Sequence, residues 1–358
     1  ETVPVLKQII DKVIDLAKDK SLKFDELDGP LDNQTFPLNT ELKGLIKSCM
    51  DLKLIDLVQQ LAKKFELISE PEEDNLTPEI VELVKQQQPD IIITVDNGIS
   101  SIDGVQAAKL SGMTVLITDH HLPPSELPNA DAIVNPNLPN DKFPSGALAG
   151  VGVMFYVLLA LRSRLREQGA FQNKPEPNLA QLLDYVALGT VADVVPLDSI
   201  NRILVHHGLQ RIRQGKAHIG INALIEVAGK NPSSINTSDL GFSIAPRLNA
   251  AGRMDDMTIG IHCLITDDLK LAQHNAMRLD DFNHERREVE NNMKQQALAY
   301  LADMKPLDER HLMAGVCLFD ESWHQGVIGI LAARIKDKIH RPVIAFAPSG
   351  DCLLYTSP

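Results

Sequence analysis

Ile91-Ile92-Ile93-Thr94-Val95-Asp96-Asn97-Gly98 and Thr114-Val115-Leu116-Ile117-Thr118-Asp119-His120-His121 share one design: a short apolar run rich in β-branched residues, closed by polar ones. A continuous run of this kind reads as a strand buried on both faces. Between the two, Ile102 to Leu110 reads as a helix that Gly112 ends. Strand, helix and strand at this spacing predict a parallel sheet with flanking helices, an α/β fold.

Thr77-Pro78-Glu79 starts a helix just upstream, with Thr at the N-cap and Pro at the first helical position; it runs to about Gln88. Downstream, helices are expected over about 147–167, 178–189 and 201–213. Residues 265–303 carry many charges at i, i+4 spacing beside one apolar stripe and read as a long connecting helix with one possible break. After Pro306 a smaller α/β unit is expected: strand Ala314 to Phe319, helix Val327 to Lys336, strand Val343 to Phe346. Residues 1–72 read as helical, from Val5, Ile9, Ile10 and Val13 and from Leu52, Ile55, Val58 and Leu61, with a loop around Gly29-Pro30.

A net charge of −13 argues against a broadly basic nucleic-acid binder, which needs clustered Lys and Arg. It leaves room for an acidic enzyme that engages a phosphodiester through metal ions held by its carboxylates. Cys49, Cys263, Cys317 and Cys352 show no ligand or redox spacing and fit inert thiols in a reducing compartment. No signal-peptide pattern opens the chain. The longest apolar run, Ala147 to Leu161, bears glycines and falls short of the roughly 20 residues of a membrane span, so it reads as a buried core helix. The expected location is cytoplasmic, with no membrane association.

In open α/β sheets ligands bind at the carboxyl ends of strands. Adjacent parallel strands would bring Asp96 and His120 together there, a carboxylate–imidazole pair suited to Mn²⁺ or Mg²⁺. Asp193 closes the apolar stretch Ala187-Leu188-Gly189-Thr190-Val191-Ala192, and a carboxylate buried after such a run needs a partner, for which a metal would serve. A lone strand-end Asp is more often a helix cap than a ligand. From the residues alone, both readings stay open.

Ile93 to Ser100 resembles the second motif of the DHH phosphoesterases, and Thr118-Asp119-His120-His121-Leu122-Pro123 resembles the motif that names the family. Ala149-Gly150-Val151-Gly152-Val153, Gly189 to Leu197, Pro246-Arg247-Leu248-Asn249-Ala250-Ala251-Gly252-Arg253-Met254 and Trp323-His324-Gln325-Gly326-Val327-Ile328-Gly329-Ile330 are similar to later motifs, in the form found in the branch that degrades single-stranded DNA. The resemblance covers about residues 75–351. It implies a DHH domain over 75–262, a connecting helix over 263–305 and a partial accessory DHHA1 domain over 306–351, with 1–74 unassigned and 352–358 a tail foreign to the domain.

The resemblance also implies roles. Asp96 would bridge two Mn²⁺ or Mg²⁺ ions, with His120 and Asp193 as ligands of one of them. Asp119 would support the cluster, and His121 would face the scissile phosphate as the catalytic side chain. Arg247, Asn249, Arg253, His324 and Gly326 would contact substrate; the other reading of Arg253 is an ion pair with Asp255 or Asp256. Trp323, the single Trp, is expected to pack rather than stack.

The implied activity is 5′-to-3′ hydrolysis of single-stranded DNA by a monomer, in recombination and repair. The alternatives are another DHH phosphoesterase, acting on oligoribonucleotides, cyclic dinucleotides or pyrophosphate, and a non-catalytic single-strand-binding relative. The Pro246 to Met254 string and the long helix favour the first. The family's Asp-x-Asp first motif is not found: Asp25-Glu26-Leu27-Asp28-Gly29 offers carboxylates without a preceding buried strand. A piece of a longer gene product is therefore expected, with a diverged member as the other reading.

Overall fold

In the computed structural model of the chain, the described residues are 76–139, 141–254, 257–303, 315–349 and 352–356. The helical reading of residues 1–72, the carboxylates of Asp25 and Asp28, and the candidate ion-pair partners Asp255 and Asp256 lie outside them. The described residues form two compact units: those up to Ala245 with Leu264–Leu269, and Pro246–Cys263 with those from Lys270 on. The two units meet in the chain at 245/246, and the expected connecting helix belongs to the second unit from Lys270 on.

In the first unit, helix α1 (Pro78–Lys85) starts as expected, the Thr77 hydroxyl accepting from Ile80 N–H. It stops before Gln88, which sits at φ 50°. Tighter bonds from the N–H groups of Gln86, Gln87 and Gln88 to the carbonyls of Leu83, Val84 and Lys85 close its last turn. Strands β1 (Ile91–Val95) and β2 (Thr114–Thr118) pair in parallel around helix α2 (Ile102–Leu110). A third parallel strand, β3 (Ala132–Val134), was not anticipated, because three residues are too few to show a period. The order is β1-β2-β3, so among the described residues β1 pairs on one side only.

This order decides burial. Val115 and Ile117 of β2 are fully buried and pack with Val81, Val105 and Ala108. Strand β1, read as buried on both faces, is only half covered, and Val95 is 44% exposed.

Helices complete the unit: α3 (Gly150–Glu167), α4 (Leu183–Ala192), α5 (Ser199–Arg213) and α6 (Ile219–Val227). The Ala147 to Leu161 run enters α3, and Val153, Phe155 and Val157 are buried, as a core helix requires. Among the described residues no helix is long and apolar enough to cross a membrane. The Asp198 side chain caps α5, accepting from Ile200 and Asn201 N–H. Beyond α6, a one-turn helix (Thr237–Asp239) runs through a π-helical turn (Leu240–Ile244) into α7 (Ala245–Met254).

In the second unit α7 and α8 (Thr258–Ile265) lead to α9 (Leu269–Asp303), 35 residues in one unbroken helix. Strand β4 (Val316–Phe319), helix α10 (Ile328–Ile339) and strand β5 (Val343–Ser349) form the smaller α/β unit, β4 and β5 pairing in parallel. Residues Cys352–Thr356, read as a foreign tail, form strand β6, antiparallel to β5 and in register over its length. Met293 and Ala297 of α9 share a core with Val316, Leu318, Trp323, Leu331 and Ile335. Trp323 is 3% exposed and donates its ring N–H to Gln296, so it packs, as expected.

Candidate metal centre at the strand ends

The β1–β2 register places Val95 opposite Thr118, so the polar residues that follow both strands emerge side by side. Asp96 continues the ladder through its N–H to Thr118 O, then turns into the left-handed region at φ 67°. That conformation is uncommon outside glycine, though Asp tolerates it better than most, and such outliers cluster at functional sites. Gly98, at φ 104°, completes the turn, and a Cβ there would stand 2.6 Å from the Thr94 hydroxyl. Asp96 is not the cap of α2, whose N-cap is Ser101. Its carboxylate lies instead against the start of α3, where a Cβ on Gly150 would overlap it. The N-cap of α3, Ala149, offers no side chain to that turn, so the positive end of the helix faces the Asp96 charge.

Asp119 is the hub. It is 1% exposed and accepts from Ile99 N–H (2.9 Å), His120 N–H (2.7 Å), His121 N–H (3.1 Å) and the His121 ring (2.7 Å). Burial opposes its charge, but these bonds together win and hold the carboxyl below its usual range. With its lone pairs spent, Asp119 fixes the loop and orients His121. Because Asp119 accepts a hydrogen bond from Nδ1–H, the other ring nitrogen of His121, on a side chain 61% exposed, is left for another partner.

His120 is held between two carboxylates, its Nε2 lying 3.1 Å from Asp96 Oδ1 and 3.5 Å from Asp193 Oδ2. The Asp96 hydrogen bond raises its pKa; burial opposes this, and the charges of Asp193, Asp96 and Asp119 add to it. Burial, reinforced by the Asp96 charge, lifts the Asp193 carboxyl above its usual range against the pull of His120 and His121.

Asp193 is the C-cap of α4. Its place is set where α4 crosses α3, since a Cβ on Gly189 would stand 2.7 Å from Val151 Cγ1. Gly150 and Val151 therefore bring both carboxylates to one imidazole. Val194, the next residue, sits at φ 59°, an outlier for a β-branched side chain.

Two residues missed in the sequence hold the histidine loop from β3. Asn135 donates to His121 O (2.9 Å) and Asn137 to His120 O (2.6 Å), while Asn135 also accepts from Asn137 N–H. Only the spacing Asn135-Pro136-Asn137 after a short apolar run hinted at them.

This donor set fits a hard divalent ion. An octahedral ion with bonds of about 2.1–2.2 Å sets neighbouring ligand atoms about 3.0–3.1 Å apart. The 3.1 and 3.5 Å separations around His120 Nε2 are close to that. One ligand atom from each of Asp96, His120 and His121 also lies within 4.8 Å of the other two. Among the described residues, the carboxylates beside His120 Nε2 are those of Asp96 and Asp193.

The remaining candidates, Arg247, Asn249, Arg253, His324 and Gly326, fall in the second unit. Arg247 is not free for a phosphate: its Nη2 lies 2.8 Å from Asp280 Oδ1, and its side chain is 11% exposed. Asn249 is exposed on α7. Arg253 donates to Gly326 O (3.2 Å), and a Cβ on Gly326 would overlap the Arg253 carbonyl, so glycine is required there. Burial, with repulsion from Arg286 added, lowers the Arg253 pKa. His324 accepts from Gly326 N–H through Nδ1.

Residues 34–190 match the DHH family, N-terminal domain. The chain is 54% identical over 278 residues to the single-stranded-DNA-specific exonuclease RecJ of Salmonella typhimurium (strain LT2), covering 77% of this chain and 48% of the relative. It is 53% identical to the RecJ of Escherichia coli (strain K12), again over 77% and 48%. A crystal structure of exonuclease RecJ bound to manganese superposes with TM-score 0.67 at 28% identity, over 89% of this chain and 82% of that one. The chain thus spans about half the length of the curated relatives it matches.

Proposed function

From the DHH-domain match over residues 34–190 and the likeness to RecJ, we propose that this chain is a DHH-family, single-strand-specific 5′-to-3′ DNA exonuclease of recombination and repair, using Mn²⁺ or Mg²⁺. The observation that supports this most is the His120 imidazole held between Asp96 and Asp193 at the carboxyl ends of parallel strands.

Asp96, His120 and Asp193 would hold one ion, and Asp96 would also serve a second if two are bound. When bound, such ions lower the pKa of water and offset the charge that develops on phosphorus. Asp119 keeps His121 in the tautomer whose outer nitrogen can meet an oxygen of the scissile phosphate or the leaving group. Asn135 and Asn137 fix the loop so that this nitrogen does not drift. Arg253, Asn249, His324 and the Gly326 backbone would hold the nucleotide strand. Arg247, spent on Asp280, would act by positioning α7. We take the protein to be a cytoplasmic monomer; the buried Cys263 thiol, its pKa pushed up to about 12 by burial, suits a reducing compartment.

The test is degradation of a 5′-labelled single-stranded DNA oligonucleotide with Mn²⁺, beside a His121→Ala variant and the same strand in a duplex. Release of mononucleotides from the 5′ end is expected, lost in the variant and absent on the duplex. Loss from the 3′ end, equal cutting of the duplex, or no Mn²⁺-dependent cutting would overturn the reading.

A further inference from the structure

Among the described residues, the four most exposed large apolar side chains are Val194 (85%), Leu110 (82%), Leu122 (81%) and Phe242 (80%). Two of them adjoin residues of the strand-end cluster, and a third stands on a turn packed against α4. Leu122 follows His121, and Val194 follows Asp193. Phe242 stands on the π-helical turn Leu240–Ile244, which packs on the last turn of α4: a Cβ on Gly241 would lie 3.2 Å from Val191 Cγ1, two residues before Asp193. π-Helical turns are rare and occur frequently at functional sites.

Folding explains none of the three. Apolar area that stays in water contributes nothing to folding. Val194 also occupies a left-handed backbone, where Gly or Asn would sit with far less strain. The cluster beside them is polar and suited to phosphate. A ligand that met both the cluster and these side chains would present an anionic group and, beside it, a flat apolar face.

We propose that Leu122, Val194 and Phe242 form an apolar rim that takes the face of an unpaired nucleobase, from the nucleotide whose phosphate lies at the Asp96–His120–Asp193 cluster. This rests on the exonuclease reading above and deepens it. A base inside a duplex has both faces stacked, so only a single strand can offer one to the rim. Every base has such a face, so the rim selects single strands without reading sequence. Phe242 is the stacking platform; Val194 and Leu122 cover the edge of the base.

The test uses the whole chain, with Ca²⁺ replacing Mn²⁺ so that binding is read apart from turnover. Anisotropy is measured with a labelled twelve-residue thymidine strand and with an abasic strand of equal length. The wild type should prefer the thymidine strand by roughly tenfold or more, as stacking of even one base allows. Phe242→Ala should remove most of that preference and leave abasic binding unchanged, and Phe242→Tyr should restore it. Val194→Gly should weaken the preference while the melting temperature holds or rises, since glycine accepts this backbone freely.

Equal binding of both strands by a wild type that cuts single-stranded DNA would overturn the rim and leave the exonuclease reading standing. A wild type that binds neither strand would overturn both. An intact preference in Phe242→Ala, with a changed sedimentation coefficient, would make the patch a surface between copies of the chain and also overturn the proposal.

Discussion

Asp96 and Asp320 occupy the same place in the two α/β units: each directly follows the first strand of a parallel pair. They do opposite things. Asp320 is absorbed by its own turn, accepting from the Ser322 N–H and hydroxyl and from Tyr300, and these bonds hold its carboxyl below the usual range. Asp96 sits at φ 67°, lies against Gly150 and meets His120. Part of the difference lies in the neighbours. A residue able to donate follows Asp320 two places on, whereas Gly98 holds that place after Asp96. A strand-end Asp is a turn-former when local donors take up its lone pairs, and a candidate ligand when the backbone turns it toward a second element.

The largest effect expected is at Asp96. Asp96→Ala should lower Mn²⁺-dependent hydrolysis by at least about 10²–10³-fold, as loss of a group stabilising developing charge does. Equal activity in Asp96→Ala and Asp320→Ala, measured on single-stranded DNA, would break the comparison.

Gly150→Ala comes next. Its methyl must displace the Asp96 carboxylate or α3, so Mn²⁺ affinity and melting temperature should fall together, with a stability loss of about 1–3 kcal/mol. Calorimetric titration and thermal denaturation check it; unchanged affinity would show that the carboxylate has room to move.

Asp119→Asn removes the charge and one of the two oxygens that between them accept from four donors, without emptying the space. Metal affinity should drop by about 10–100-fold, as for lost supporting partners of ligands. Because the folded pKa of Asp119 is depressed, its stabilisation is present at neutral pH and lost as pH falls through the folded value. The wild type should therefore lose more stability on acidification than the variant, read from denaturant midpoints against pH.

The raised pKa values of His120 and Asp193 sharpen the picture further. In the metal-free chain both favour the proton: the His120 contribution to stability is full below its unfolded pKa and lost as pH rises through the folded one, and the Asp193 charge is a penalty above its unfolded pKa. Metal binding must displace those protons, so Mn²⁺ affinity should rise with pH and protons should be released, detectable by titration in buffers of different ionisation enthalpy. Pairwise titration with no buffer dependence would contradict this.

The smallest effect is Asp320→Asn. It should cost about 1 kcal/mol, the order of a hydrogen bond, with activity unchanged. A fall in activity would mean that the second unit's strand end also meets substrate.

Much of this was legible before any coordinates. The apolar runs at 91–95 and 114–117 are short, β-branched and closed by polar residues, so their strands and the helix between them stand as read. Asp96 and Asp193 stand out because each closes an apolar run, and His120 because it follows one by two residues, but the residues alone leave cap and ligand readings open. Strand β3 was not legible, since three residues carry no period. The ion pair of Arg247 was not legible either, because the sequence shows a guanidinium but not the Asp280 that reaches it from α9.

Local physics, then, is what the sequence by itself determined: strand and helix periods, helix starts, and the residue types able to hold a divalent ion. What the tertiary structure decided is which of those residues meet. The Gly150 and Gly189 contacts that bring Asp96 and Asp193 to His120, and the Asn135 and Asn137 bonds that fix the histidine loop, join positions 14 or more residues apart. No local preference encodes such approaches, because their free energy comes from packing that exists only once the elements have docked.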